Sequence, residues 1–457
     1  MKKITFVSVC LLLTVLFSYG QWSTTYLSDG TIRMSGAVLG NKAYFAGGMV
    51  VSGSDWIDTD KVEIYDTETG IWEMDYLSQP RQIISSTTCG GFIFFAGGLS
   101  NWVPSSRVDM FNSLGLWESK SLSIPRFALS VAGKDEIVLF AGGGSLSQVY
   151  NRVDIYNINT QQWSVDTLSI PRTYMGCATA GDLAFFAGGG NAANSVVYSR
   201  VDIYNFSTGT WDTASLSQAR SFPGVTVAQG KVVFAGGSLS NGVPSGRVDV
   251  FDTQTGIWDT TGPLSVPRAF YSQSATVCGI AYFVGSGSFG GNWINGTDTI
   301  DVYDPVENAW SVMTLPDKVT ENAVVAIENA LLSAGGFYEN DPPNGIALNT
   351  VEIYTDPVCS YGVNVGNTSE KSVTVDLTVY PNPVYQSTTF SYALEESGQV
   401  TLQIFDSFGR LVDIPVNAYQ QKVEQQVLWN AEACPAGIYF YRIQAGNEVG
   451  SGKIIKW

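Results

Sequence analysis

The chain has 457 residues, with 24 Lys and Arg against 41 Asp and Glu, a net charge of −17 and no histidine. The acidic balance argues against nucleic acid and anionic membrane surfaces as partners, because polyanions repel it. The missing histidine excludes Ser-His-Asp and Cys-His catalysis and histidine-ligated zinc or copper, so any enzyme chemistry falls to carboxylates, Tyr, Lys and Arg, and no cofactor or metal site is expected.

At the N-terminus, Lys2 and Lys3 precede the apolar run from Ile4 to Phe17, and Ser18-Tyr19-Gly20 places small residues before Gln21. Residues 1–20 therefore read as a secretory signal peptide. The run is too short for a membrane span, and no other segment is apolar for long enough, so no integral membrane segment is expected. Cys10 lies inside the run, and no cysteine follows the small residues to take a lipid. After cleavage Cys89, Cys177, Cys278, Cys359 and Cys434 remain. This odd, scattered set reads as buried small hydrophobes, with a single disulfide as the alternative.

From Lys42 onward one unit recurs. A strand ends in a glycine doublet in AYFAGG (Gly47), IFFAGG (Gly97), VLFAGG (Gly142), AFFAGG (Gly188), VVFAGG (Gly236) and LLSAGG (Gly335), with AYFVGSG (Gly285) a degenerate copy. Successive doublets lie 45–50 residues apart, a period that belongs to propellers. Each is followed by a strand of the type VDIYN, and all but the last also by a polar turn, a tryptophan (Trp72, Trp117, Trp163, Trp211, Trp258, Trp310) and a segment related to L-S-x-P-R. Four short strands per unit make one blade of a propeller. Glycine allows close backbone approach, and the tryptophan supplies buried area between neighbouring sheets.

Glycine doublet, Tyr or Phe, then Trp at this spacing resembles the kelch repeat, which implies an all-β, seven-bladed propeller over residues 21–357. The last unit, VEIYT at Val351, has no tryptophan behind it, whereas Trp22 near the N-terminus is followed by Leu27-Ser28 as Trp258 is followed by Leu264-Ser265. The N-terminal strand is therefore expected to complete the seventh blade and remove an exposed edge. A copper oxidase belongs to the galactose-oxidase-like group that this propeller resembles, but its copper site needs histidines and this chain has none. A sialic acid isomerase group is also known among kelch proteins, and no motif here carries its residues over.

Residues 358–375 read as a linker. From 376 to 457 the composition changes to alternating strands, expected at Thr388–Ala393, Gln399–Asp406, Lys422–Trp429 and Gly437–Gln444, with turns at 407–410 and 435–437. About 80 residues in this layout suggest a small Ig-like β-sandwich. Tyr380-Pro381-Asn382-Pro383, then Phe405-Asp406 with Gly409-Arg410-Leu411-Val412, then Pro435-Ala436-Gly437-Ile438-Tyr439 and the final strand with Lys453 and Lys456 resemble the C-terminal sorting domain of the type IX secretion system of Bacteroidota. The resemblance implies export through the periplasm, engagement of the type IX machinery, and secretion or attachment at the cell surface.

The candidate ligand site is a ring of cations before each blade: Arg33, Arg81, Arg126, Arg172, Arg220, Arg268 and Lys318. Loops after the glycine doublets add Trp56, Trp102 and Trp293, with Tyr150, Tyr198 and Tyr338 in the others. Cations ringed by aromatics suit an acidic glycan or a peptide carboxylate, and exposed tryptophans favour a glycan over a protein. The competing reading is architectural, because each blade also carries one carboxylate (Glu63, Asp109, Asp154, Asp202, Asp249, Asp301, Glu352) able to pair with a cation. Two functions stay open: a secreted binding or adhesion module, and a histidine-free carbohydrate-active enzyme, isomerase or hydrolase, using carboxylates or Tyr.

Overall fold

The computed structural model describes residues 21–112, 115–191, 195–240, 242–269, 273–288, 295–338, 346–356, 377–394, 397–406, 411–445 and 448–457. The signal peptide, the linker, Cys359, Trp293 and the turn expected at 407–410 lie outside them. The described elements are all β, and the chain divides into two units, residues 1–363 and 364–457.

Among the described residues the first unit holds seven larger antiparallel sheets, each built on four strands, the sixth carrying an extra short strand at Gly287–Ser288, together with three smaller sheets of two or three strands. In the first sheet, Ser35–Leu39, Lys42–Ala46, Lys61–Asp66 and Trp72–Tyr76 follow one another. The innermost strands of the others are Ser85–Cys89, Ser130–Lys134, Gly176–Ala180, Gly224–Ala228, Ser274–Val277 and Ala323–Ile327. Each neighbours the next, and Ala323–Ile327 neighbours Ser35–Leu39. The outermost strand of the seventh sheet is Gln21–Tyr26, paired with Thr350–Thr355 in the register Trp22 to Tyr354. The N-terminus thus supplies the strand that the last unit lacks, as expected.

Neighbouring sheets bury apolar faces against each other. The second strands are almost wholly interior: Phe45, Phe94, Phe140, Phe186, Phe234 and Phe283 are at most 1% exposed. This is why those strands read as continuous apolar runs rather than alternating ones. The repeat tryptophan packs on the Tyr or Phe of its own third strand, at 4.9 Å for Tyr65–Trp72 and 4.8 Å for Tyr156–Trp163. Its indole N–H reaches the preceding sheet: Trp117 Nε1 donates to Asp75 (2.7 Å), Trp211 to Asp166 (2.9 Å) and Trp72 to Thr25 (2.8 Å). The doublet glycines sit at φ 64° and 102° at Gly47 and Gly48, and a Cβ on Gly47 would lie 2.5 Å from the Arg81 carbonyl oxygen. Only glycine meets both the left-handed backbone and that approach.

In the second unit, a three-stranded sheet (Leu377–Tyr380, Ser387–Ala393, Glu424–Asn430) and a four-stranded one (Leu411–Gln420, Gly398–Asp406, Gly437–Ala445, Glu448–Lys456) share one core that includes Phe390, Leu402, Ile404, Trp429 and Ile443. Four strands lie within about two residues of the expected ranges. Leu411–Gln420 was not expected. It contains Pro415 and lies at a sheet edge, where a missing N–H costs no ladder bond. Asn382 ties the start of the unit to its end, since Nδ2 donates to the Lys453 carbonyl (2.8 Å) and Oδ1 accepts from Ile455 N (2.9 Å).

Candidate functional site

The sequence-derived cation ring separates into two groups. Arg81, Arg126, Arg172, Arg220 and Arg268 are at most 1% exposed, and each pairs with the aspartate of the next sheet: Asp109 (2.5 Å), Asp154 (2.8 Å), Asp202 (2.5 Å), Asp249 (2.6 Å) and Asp301 (2.6 Å). The arginine carbonyl accepts from the second doublet residue of the preceding sheet, as Gly48 N does to Arg81 O at 2.8 Å. The guanidinium also donates to a second-strand carbonyl of the following sheet, as Arg172 Nη2 does to Phe186 O at 3.0 Å. Each arginine is therefore a rivet between two sheets. Burial lowers the affinity of these guanidinia for their protons, pushing Arg172 down to about 10 despite the attraction of Asp202. These five form the inter-sheet ion pairs of the architectural reading, and the expected display of them on a ligand face is corrected: each is enclosed with its carboxylate partner.

Arg33 and Lys318 do not belong to that series. The carbonyls equivalent to that of Arg81 are those of Thr31, which accepts from Gly336 N (2.8 Å), and Val319, which accepts from Ser286 N (2.9 Å). In these two places the carboxylate is a glutamate. Glu63 takes Ser28 N and Oγ (2.8 and 2.9 Å) and Glu352 takes Thr24 Oγ1 (2.8 Å). Lacking an arginine, Glu352 has its acidity weakened by burial. Lys318 is exposed. The spacing could have revealed the register: the arginine falls four residues after the buried leucine of the L-S segment, so Leu27 points to Thr31 and Leu315 to Val319.

Two residues beyond the rivet position a second series appears. Arg33, Ile83, Ala128, Tyr174, Phe222 and Glu321 share the left-handed backbone, with φ between 49° and 56°. They rim a cavity of about 320 Å³ lined by the innermost strands of all seven sheets. Deeper in, Ser85 Oγ donates to Leu129 O (2.6 Å), Ser130 Oγ to Met175 O (3.1 Å) and Ser274 Oγ to Val225 O (3.0 Å), stapling neighbouring sheets around the cavity. At the rim, Arg33 Nε and Nη2 donate to both oxygens of Glu321 (3.0 and 3.1 Å), and Nη1 donates to Gln82 Oε1 (3.0 Å). The rings of Tyr174 and Phe222 lie in tilted contact, with centroids 4.2 Å apart and planes at 32°. Burial pushes the Tyr174 phenol up to about 12.

The hairpins after the doublets rise from this rim. Gln82, beside Ile83, bridges Leu99, and its Nε2 donates to Asp58 Oδ1 (3.0 Å). Asp58 Oδ2 accepts from Asn101 N (2.6 Å), which joins the hairpin of Trp56 to the turn of Trp102. Burial raises the pKa of Asp58. Trp56 is 38% and Trp102 55% exposed, and Trp56 leans on Phe337 of the preceding hairpin at 6.2 Å. These two tryptophans are partly exposed, as expected.

Of the cysteines, Cys89, Cys177 and Cys434 are free, and Cys278 is disulfide-bonded to a partner outside the described residues. Among the described residues no helix is long and apolar enough to cross a membrane. No curated protein matches the chain. Residues 378–457 match the family model of the secretion system C-terminal sorting domain, and this type IX tail directs the protein out of the cell, to be secreted or held at the surface.

Proposed function

We propose that the seven sheets are the blades of a kelch-type β-propeller closed by Gln21–Tyr26, that the tail is an Ig-like sandwich, and that the propeller is an exported binding module that holds a glycan on its hairpin face. The observation that carries the ligand class is the pair Trp56 and Trp102, exposed on adjacent hairpins with Asp58 and Asn101 between them. Exposed tryptophans cost solubility unless a partner covers them. Indole faces suit the apolar faces of sugar rings, and the polar atoms between them suit the hydroxyls.

A carbohydrate-active enzyme is the weaker reading. Hydrolysis needs two carboxyl groups flanking one bond, and the carboxylate among the described rim residues, Glu321, is engaged on both oxygens by Arg33. Tyr174 keeps its proton at neutral pH and is a poor base. The test is a glycan array probed with the mature chain, residues 21–457, and with the Trp56→Ala/Trp102→Ala variant. Binding that falls at least ~10-fold in the variant supports the reading. An array without a single bound glycan, or equal binding by both proteins, removes it.

A further inference from the structure

We infer that the cavity rim is a second seat, distinct from the tryptophan crest, and that it takes one uncharged sugar ring, the terminal unit of the glycan. The inference rests on the binding-module reading and adds a site and a charge preference to it.

The rim residues occupy one position of the repeat, with one strained backbone conformation, yet their side chains differ in every described sheet: Arg33, Ile83, Ala128, Tyr174, Phe222 and Glu321. Two residues earlier, the rivet arginine repeats in five sheets, because packing allows little else there. Fold does not require the rim to vary, and a shared left-handed backbone pointing unlike side chains into one cavity is what recognition of an asymmetric ligand needs.

The variation is ordered. The sheets follow in the cyclic order in which Glu321 and Arg33 are neighbours and Tyr174 lies across from them. One side of the mouth is thus an ion pair with polar atoms, and the opposite side is the tilted aromatic pair Tyr174–Phe222. A pyranose has this division, with C–H bonds on its faces and hydroxyls at its edge. Among the described rim residues the two charges, Arg33 and Glu321, neutralise each other through two hydrogen bonds, with Arg33 also donating to Gln82, and a charged sugar would have to break that pair. The volume, about 320 Å³, stands at the lower end of the ~300–1,000 Å³ common for small-molecule sites and fits one ring rather than a chain.

The experiment measures binding of glucose, galactose, mannose, xylose and N-acetylglucosamine, with glucuronic acid and glucosamine as charged comparators, to the mature chain by saturation-transfer NMR and calorimetry. Tyr174→Ala removes the stacking face. Ile83→Arg is the second variant: it gives up the packing of Ile83 against Leu99, Phe127 and Ala128, keeps a backbone conformation that an arginine already holds at Arg33, and places a long cation across the mouth. The expected result is millimolar binding of a neutral sugar, weakened at least ~10-fold by either variant while Ile83→Arg still unfolds in one cooperative thermal transition. Neutral-sugar binding that survives both variants overturns the cavity seat and leaves the tryptophan crest standing. Array binding without any monosaccharide binding does the same. A charged sugar bound ~10-fold more tightly than every neutral one overturns the charge preference. Monosaccharide binding lost in both variants, with a blank array, upholds the cavity and removes the crest.

Discussion

At the scale of single residues, the five buried arginines show how the same motif serves architecture and could pass for a binding ring. Each guanidinium gives up water for one aspartate and one or more carbonyl oxygens, and burial outweighs the attraction in its proton affinity. Such a pair fixes geometry more than it adds net free energy, but removing one member strands a charge in the interior. Asp202→Ala should therefore destabilise the first unit by ~3–5 kcal/mol, whereas the double replacement Arg172→Met/Asp202→Leu should cost much less than that. Urea unfolding of the three proteins measures this, and equal losses in the single and double variants would contradict it. The motif L-S-x-P-R made the arginines legible in the sequence. The one carboxylate per unit marked a possible partner for each, but which of the two readings held was not legible, because the aspartate sits about 30 residues later and only the packing of neighbouring sheets encloses the pair.

At the scale of elements, the strand Gln21–Tyr26 carries the largest structural consequence. It covers Thr350–Thr355, brings Trp22 against Tyr354 at 5.4 Å and supplies Thr24 to the buried Glu352. A mature chain lacking residues 21–26 leaves that strand as a bare edge. It should lose its single cooperative unfolding transition and elute from size exclusion as oligomers; a monomer melting like the parent would show that closure is dispensable. This pairing was readable because a tryptophan was missing at one end of the repeat and present at the other. The strand Leu411–Gln420 was not readable, because Pro415 marks a break unless the strand is known to lie at an edge.

At the scale of the whole chain, the two units have separate cores, and the sorting domain lies in the second. A chain ending at Val375 keeps every described strand of the first unit and loses the sorting domain. In its native host it should fold, reach the periplasm and stay there. Fractionation followed by limited proteolysis checks both halves of that expectation. Appearance of the truncated protein in the medium at the parent level would mean that the tail is not what carries it across the outer membrane.

The sequence by itself determined the periodic parts: the count of repeats, the N-terminal partner of the last one, the tail and its destination. These are local patterns, repeated or placed at a terminus, and each copy states the same packing requirement. The packing of the sheets alone decides which cations face outward and which are sealed. Arg33 and Arg81 look alike in sequence, yet one lines a cavity with Glu321 and the other is sealed against Asp109, because a shift of two residues moves a side chain from the joint between sheets to the rim of the space they enclose.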